Sequence, residues 1–275
     1  MSRIERNSLA RHWAPVRSVD VTTSSRARSF GAAAAAYAEH RPGYPAAAVD
    51  WALAPVAGGA LRLLDLAAGT GKLTEALLPR GTVVAVEPDA AMRAELLARF
   101  PGTDAREGSA EAIPLPDGCV DAVLVGQAWH WFDADRAYAE VARVLRPGGV
   151  LAALWNGDDA NVDWVRGFHE AGRWESHVVR APEAEPPQLV HPAFVTDGFA
   201  QFPNLVPTTI EGLVATLRTH SWSLVSEPAE REEAFDRLRA YLENRPETAS
   251  GEFELPLVTD VVRAVRRERV PYSRA

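Results

Sequence analysis

An eleven-residue stretch, Leu61-Arg62-Leu63-Leu64-Asp65-Leu66-Ala67-Ala68-Gly69-Thr70-Gly71, constrains the fold more than any other part of the chain. It starts as an apolar run with an acid near its end and breaks into small residues and two glycines. Apolar periodicity then resumes at Leu73, Leu77 and Leu78. That profile predicts a buried strand, a tight turn and a helix. Gly69 and Gly71 let the backbone take φ > 0 or approach a ligand closely. Open α/β sheets bind ligands at the carboxyl ends of their strands. Taken alone, Gly-x-Gly is equally compatible with a turn that holds no ligand.

A second β-branched run, Thr82 to Val86, ends in Glu87, sixteen residues past Gly71. Nucleotide-binding α/β units place a carboxylate near this spacing, where it accepts the hydroxyls of a ribose. A carboxylate suits a vicinal diol because its two oxygens accept hydrogen bonds in a fork. Standing alone, Glu87 also reads as a solvated acid at a strand end. The dinucleotide fingerprint is incomplete, because Thr74 stands where a third glycine would be expected. Asp65 lies just before the turn and would repel a pyrophosphate. It would attract a cationic sulfonium. The pair of acids therefore favours S-adenosylmethionine over a nicotinamide dinucleotide.

The rest of the chain continues the rhythm. Asp89 can cap a helix running to Arg99, a weak third strand falls near Thr103 to Glu107, and Cys119 to Gly126 reads as a fourth strand. Asp133 to Leu145 has amphipathic helical spacing and stops at Arg146-Pro147-Gly148-Gly149. Val150 to Trp155 is a fifth strand. Such alternation predicts an α/β fold with a doubly wound, mainly parallel sheet. Upstream, residues 1–28 read as a mobile, Arg- and Ser-rich tail, and an organellar transit peptide is a second reading of the same composition. Phe30 to Tyr37 is a helical stretch, followed by the rigid turn Arg41-Pro42-Gly43-Tyr44-Pro45 and a helix over Ala46 to Leu53. Residues 29–156 form the expected core with its N-terminal segment, and residues 157–275 an insert and the last strands. In that second part, helices are expected at Val162 to Ala171, Thr209 to Thr219 and Glu227 to Tyr241. Strands are expected at Phe199 to Val206 and Phe253 to Val265, and Ala181 to Pro192 reads as irregular.

Composition narrows the function. A formal net charge of −8 argues against a general electrostatic grip on nucleic acid. Cys119 is the only cysteine, so no intrachain disulfide can form, and no Cys/His spacing matches a zinc site. No apolar run reaches the length of a membrane span and the start lacks the apolar stretch of a signal peptide, so a soluble, cytoplasmic protein without a metal is the expectation. Oligomeric state is left open.

Five segments occur in order: Asp65 to Gly71, Val86-Glu87-Pro88, Gly108-Ser109-Ala110-Glu111, Gln127-Ala128-Trp129-His130-Trp131-Phe132, and Arg143 to Gly149. Together they resemble the successive motifs of class I S-adenosylmethionine-dependent methyltransferases, most similar to the trans-aconitate methyltransferase-like subgroup. The resemblance is strong over about residues 30 to 156. It implies a seven-stranded Rossmann-like sheet with a helical cap or insert, its last two strands forming a hairpin-like pair. It implies S-adenosyl-L-methionine as cofactor, held by Asp65, Ala67, Gly69, Gly71, Glu87, Pro88, Ala110, Glu111 and Gln127. It places Ala110 and Glu111 near the adenine. Tyr37, Arg41 and Tyr44 match a segment that closes over cofactor and substrate, where Arg41 could pair bidentately with a carboxylate. Where many members carry glycine this chain has Ala67, which predicts an ordinary φ at that position.

Trp129, His130, Trp131 and Phe132 fall where ligands should meet the sheet. Aromatic faces there could hold a sulfonium by cation–π attraction, and His130 could accept a proton from a substrate hydroxyl. The plainer reading is aromatic packing, with His130 entering a helix. The activity implied is methyl transfer to a small molecule, most readily at a carboxylate or hydroxyl oxygen. The alternatives are a cofactor-holding regulatory or partner protein without methyl transfer and, more remotely, an NAD-dependent dehydrogenase.

Overall fold

A computed structural model describes residues 41–172, 188–220, 223 and 226–268. The expected tail, the Phe30 to Tyr37 helix and Tyr37 itself lie outside the described residues. Among the described residues, seven strands form one sheet in the order β3-β2-β1-β4-β5-β7-β6. They are β1 (Leu61–Leu66), β2 (Gly81–Val86), β3 (Asp104–Arg106), β4 (Val120–Gly126), β5 (Leu145–Asp158), β6 (Phe194–Thr209) and β7 (Glu252–Arg266). Strands β1 to β5 pair in parallel, and β7 runs antiparallel to both of its neighbours, β5 and β6.

The period-two pattern of the strands covers both faces of the sheet. Leu61 and Leu63 of β1 bury on one face with Ala48, Val49, Ala52 and Leu53 of helix α1 (Ala46–Leu53) and Leu73 and Leu77 of α2 (Lys72–Leu77). Leu64 and Leu66 turn to the other face and meet Ala137, Tyr138, Val141 and Val144, which belong to a helix over Ala134–Val144. Between these in sequence, α3 (Ala90–Arg99) sets Leu96 against Ala68 and Ala85, and we number the Ala134–Val144 helix α4. The cap expected at Asp89 forms, and Asp133 adds one that was not anticipated. Asp89 accepts from the amides of Ala91 and Met92, both at 2.9 Å, and Asp133 accepts from Arg136.

The last hundred residues depart most from expectation. Strand β6 is twice as long as its apolar core predicts and contains Pro203 and Pro207. Both are tolerated because β6 is an edge strand, where a missing N–H need not break a ladder. Pro256 of β7 sits just beyond Leu257, the last β7 residue paired with β5, and its carbonyl accepts the Asp159 amide at 3.0 Å. Helices α5 (Asp163–Gly172), α6 (Ile210–Arg218) and α7 (Pro228–Glu243) pack on this projecting part of the sheet. They share a separate core in which Trp164, Phe168, Leu217, Phe235 and Leu238 meet Phe253, Leu255 and Leu257 of β7. Among the described residues no helix is long and apolar enough to cross a membrane.

Candidate active site

The strand order reverses between β1 and β4, and ligands bind such sheets in the crevice outside that switch point. A cleft opens there. Its lining comes from the loop after β1 (Asp65, Ala67, Ala68, Gly69, Thr70), the start of α2 (Lys72, Leu73), the end of β4 (Gly126, Gln127) and the strap before α1 (Arg41, Pro42, Tyr44).

The β1–α2 loop is shaped by three left-handed residues, Ala67 (φ 58°), Gly69 (φ 56°) and Gly71 (φ 87°). The ordinary φ expected at Ala67 is wrong. The turn keeps the conformation that glycine favours, and alanine adopts it at a cost of about 1–2 kcal/mol. Its neighbours hold it in place: the Ala68 amide donates to the Val86 carbonyl at 3.1 Å, and the Gly71 amide to the Ala68 carbonyl at 2.9 Å. Among the described residues, Ala67 and Gln127 are the two non-glycine residues with positive φ, and both line the cleft. Strain of this kind concentrates at functional sites. A Cβ at Gly69 would meet open space, whereas a Cβ at Gly71 would lie 3.0 Å from both Leu96 and Phe100. Gly69 thus leaves room, and Gly71 permits close packing of α3.

Two buried acids define the electrostatics. Asp65 is 1% exposed, and its Oδ2 accepts the Thr74 hydroxyl at 2.6 Å. Its Oδ1 has no hydrogen-bond partner among the described residues. Burial, reinforced by the charge of Glu87, raises its pKa from 3.8 to about 7. Thr74, which replaces the third glycine of a dinucleotide fingerprint, therefore serves to orient this acid. Glu87 is buried as well. Its Oε2 accepts the Gly69 amide and its Oε1 the Asp89 amide, both at 2.9 Å, and burial raises its pKa. The acid at the end of β2 and the glycine loop after β1 are one hydrogen-bonded unit.

Of the residues singled out in the sequence, Asp65, Ala67, Gly69, Gln127, Arg41 and Tyr44 come together in the cleft lining. Glu87 and Gly71 belong to its supporting loop, and Pro88 follows Glu87, exposed. Ala110 is buried in the sheet core, and Glu111 accepts the Asp133 amide at 3.0 Å, just before α4. Trp129 packs edge-on against Tyr138, with centroids 4.9 Å apart. His130 and Trp131 lie beside each other on the single 3₁₀ turn Trp129–Trp131, just past the cleft wall that ends at Gln127. The His130 residue is exposed, and desolvation on its inner side lowers its pKa, so the imidazole is neutral at pH 7.

Lys72 was not anticipated. It stands half-buried at the first position of α2, lines the cleft, and has its pKa lowered by burial and then by Arg99. A cation at a helix N-terminus opposes the macrodipole. That local mismatch was the one sequence signal that could have revealed it. Arg41, the second cation of the lining, donates from Nε to the Thr219 hydroxyl at 3.0 Å and from Nη2 to the Thr219 carbonyl at 3.1 Å.

Comparison with known proteins identifies the family. Residues 64–153, which span β1 to β5, match the family model described as a methyltransferase domain. An uncharacterized methyltransferase of Mycobacterium tuberculosis is 44% identical over 238 residues, covering 86% of this chain and 95% of that protein. A malonyl-[acyl-carrier protein] O-methyltransferase of Methylococcus capsulatus is 42% identical over 98 residues, a third of this chain and 36% of that protein. A solved structure from Anaeromyxobacter dehalogenans, assigned as a type II methyltransferase, superposes with a TM-score of 0.58 at 28% identity, covering 82% of this chain and 97% of that one. With a relative this similar over nearly its whole length, the chain belongs to the class I S-adenosylmethionine-dependent methyltransferases, enzymes whose cofactor is S-adenosylmethionine.

Proposed function

We propose that this enzyme methylates a carboxylate or hydroxyl oxygen of a small molecule, and that the cleft at the β1/β4 switch point is where it does so. One observation carries the reading. A single cleft presents a buried acid with an unsatisfied oxygen, Asp65, together with two cations, Arg41 and Lys72. That is the complement of a zwitterion bearing sulfonium, ammonium and carboxylate groups. When bound, S-adenosylmethionine supplies an electrophilic methyl group on sulfur.

The chain's own residues divide the remaining work. Asp65 attracts the ligand's positive charge in a partly desolvated site. Glu87 holds the ribose diol, because each oxygen keeps acceptor capacity beyond its one backbone amide. Ala67, Gly69 and Gly71 shape a loop that the ligand can approach closely, and Pro88 directs the chain away past Glu87. Lys72 and Arg41 meet carboxylates. Ala110 leaves room for a flat base and Glu111 fixes that loop to α4. Gln127 and Tyr44 line the cleft from the β4 end and from the strap, while Trp129 and Trp131 stiffen the rim. Tyr37, outside the described residues, would extend the strap.

An acceptor with a carboxylate needs no base, because it is already ionised at neutral pH, and orientation in line with the leaving sulfur supplies about 7–11 kcal/mol of the barrier. A hydroxyl acceptor would use His130, whose neutral imidazole can take the proton. The cationic lining and the resemblance to the trans-aconitate methyltransferase-like subgroup favour the carboxylate. The Methylococcus relative, named for O-methylation, matches over only 98 residues, a third of this chain, and so bears little on the acceptor.

The test is calorimetry with S-adenosylhomocysteine, followed by its release assayed across mono-, di- and tricarboxylates, alcohols and amines. Saturable binding and turnover with carboxylates are expected. No binding at millimolar ligand would remove the cleft assignment, and turnover confined to amines would remove the oxygen acceptor.

A further inference from the structure

The strap Arg41-Pro42-Gly43-Tyr44 walls the cleft, and what holds it is a buried amide outside the cleft lining. Asn156 lies near the carboxyl end of β5 and is 7% exposed. Its Nδ2 donates to the Gly43 carbonyl at 3.0 Å. Its Oδ1 accepts the Thr259 hydroxyl of β7 at 2.6 Å and the Asn204 Nδ2 of β6 at 3.3 Å. Asn204 Nδ2 also donates to the Gly43 carbonyl, at 3.0 Å. The Asn156 main-chain carbonyl accepts Gln127 Nε2 at 3.0 Å, on a residue held at positive φ in the cleft wall.

The network sets its own polarity. Turning the Asn156 amide over would place its oxygen against the Gly43 carbonyl and its NH₂ against that of Asn204. The Gly43 carbonyl, which can only accept, and the Asn204 NH₂, which can only donate, fix this sense, and the hydroxyl of fully buried Thr259 donates to the amide oxygen so set. Two further contacts finish the strap. Gly126 leaves room for the Tyr44 hydroxyl, which a Cβ would approach to 2.5 Å, and Thr219 takes Arg41. The Asn156 group hydrogen-bonds to both sides, to the strap through Gly43 and to the β4 end through Gln127.

We propose that Asn156, oriented by the Gly43 carbonyl and Asn204 and supported by Thr259, is the positioning residue that holds the strap and Gln127 in their working places in the cleft lining. The inference rests on the assignment of this cleft as the cofactor and acceptor site. Asn156 acts without touching a ligand, and it couples the antiparallel outer strands to a site built on the parallel ones.

Asn156→Asp is the discriminating variant. It keeps the shape and the oxygen that accepts from Thr259, but it sets an acceptor against the Gly43 carbonyl. It should weaken S-adenosylhomocysteine binding and raise the cofactor KM by about tenfold, with kcat changed far less. Asn204→Ala, on the edge strand, should give a smaller rise of the same kind and serves if the first variant does not fold. If both folded variants bind and turn over like wild type and only their melting temperature falls, Asn156 is structural and the proposal fails. If wild type itself binds no S-adenosylhomocysteine, the cleft assignment fails first and takes this inference with it.

Discussion

The loop after β1 and the arm of β6 and β7 make contacts of very different range. In the loop, Thr74 reaches Asp65 nine residues away and Gly69 reaches Glu87 eighteen away. In the arm, the contacts join Asn204 to Gly43, 161 residues apart, and Thr219 to Arg41, 178 apart. The first region encodes its geometry in adjacent residues. The second depends on the completed sheet to bring distant residues together. One teaches how the cofactor end is built, the other how a wall is set against it.

If the loop is the cofactor end, its variants should dominate binding. The largest effect is expected from Glu87→Ala, which removes the acceptor for two backbone amides and the proposed diol contacts. Affinity for S-adenosylhomocysteine should fall about 100-fold by calorimetry, and an unchanged value would detach Glu87 from the ribose. Next comes Gly71→Ala. The left-handed φ and the contacts with Leu96 and Phe100 should lower unfolding free energy by about 2 kcal/mol in a denaturant titration.

Protons offer a finer test. Asp65 has its pKa raised to about 7 in the folded protein, so its contribution to stability is full below about pH 4 and is lost as pH rises through 7. A cationic ligand favours the ionised form, so binding should release protons and tighten by up to about tenfold per pH unit below 7, then level off. Glu87, also raised by burial, adds with the same sign. Asp65→Asn should remove most of this dependence and leave the ligand-free protein no less stable at pH 8. A pH profile identical to wild type would show that Asp65 does not sense the ligand.

The smallest effect belongs to the arm. Gly167 of α5 lies where a Cβ would overlap the Tyr241 hydroxyl, which donates to the Trp164 carbonyl at 3.1 Å. Gly167→Ala should cost about 1 kcal/mol of stability while leaving S-adenosylhomocysteine affinity as it was. Weakened cofactor binding there would collapse the distinction between the two regions.

The sequence made the parallel core legible because its signals are local. Leu61 to Gly71 announces strand, turn and helix through composition alone, Asp89 announces its helix through capping chemistry, and the helix after Asp133 is announced by its amphipathic spacing. Glu87 could be placed by its spacing from Gly71. The length of β7 was legible to within a residue at each end, but that of β6 was not, since Pro203 and Pro207 argue locally against a long strand and only an edge position makes them harmless. Lys72 went unnoticed because a lysine on a short helix usually faces water.

What the chain determined by itself was therefore the alternation of buried strand and amphipathic helix, the glycine turn, and the acids at the ends of β1 and β2. Nearest-neighbour sterics and hydrophobic period suffice for those. The tertiary structure decided the left-handed φ at Ala67, the meeting of Arg41 and Lys72 in one cleft, and the seat of Asn156 between Gly43, Asn204 and Thr259. These depend on strand order and on contacts between residues far apart in the chain, and no window of adjacent residues carries that information.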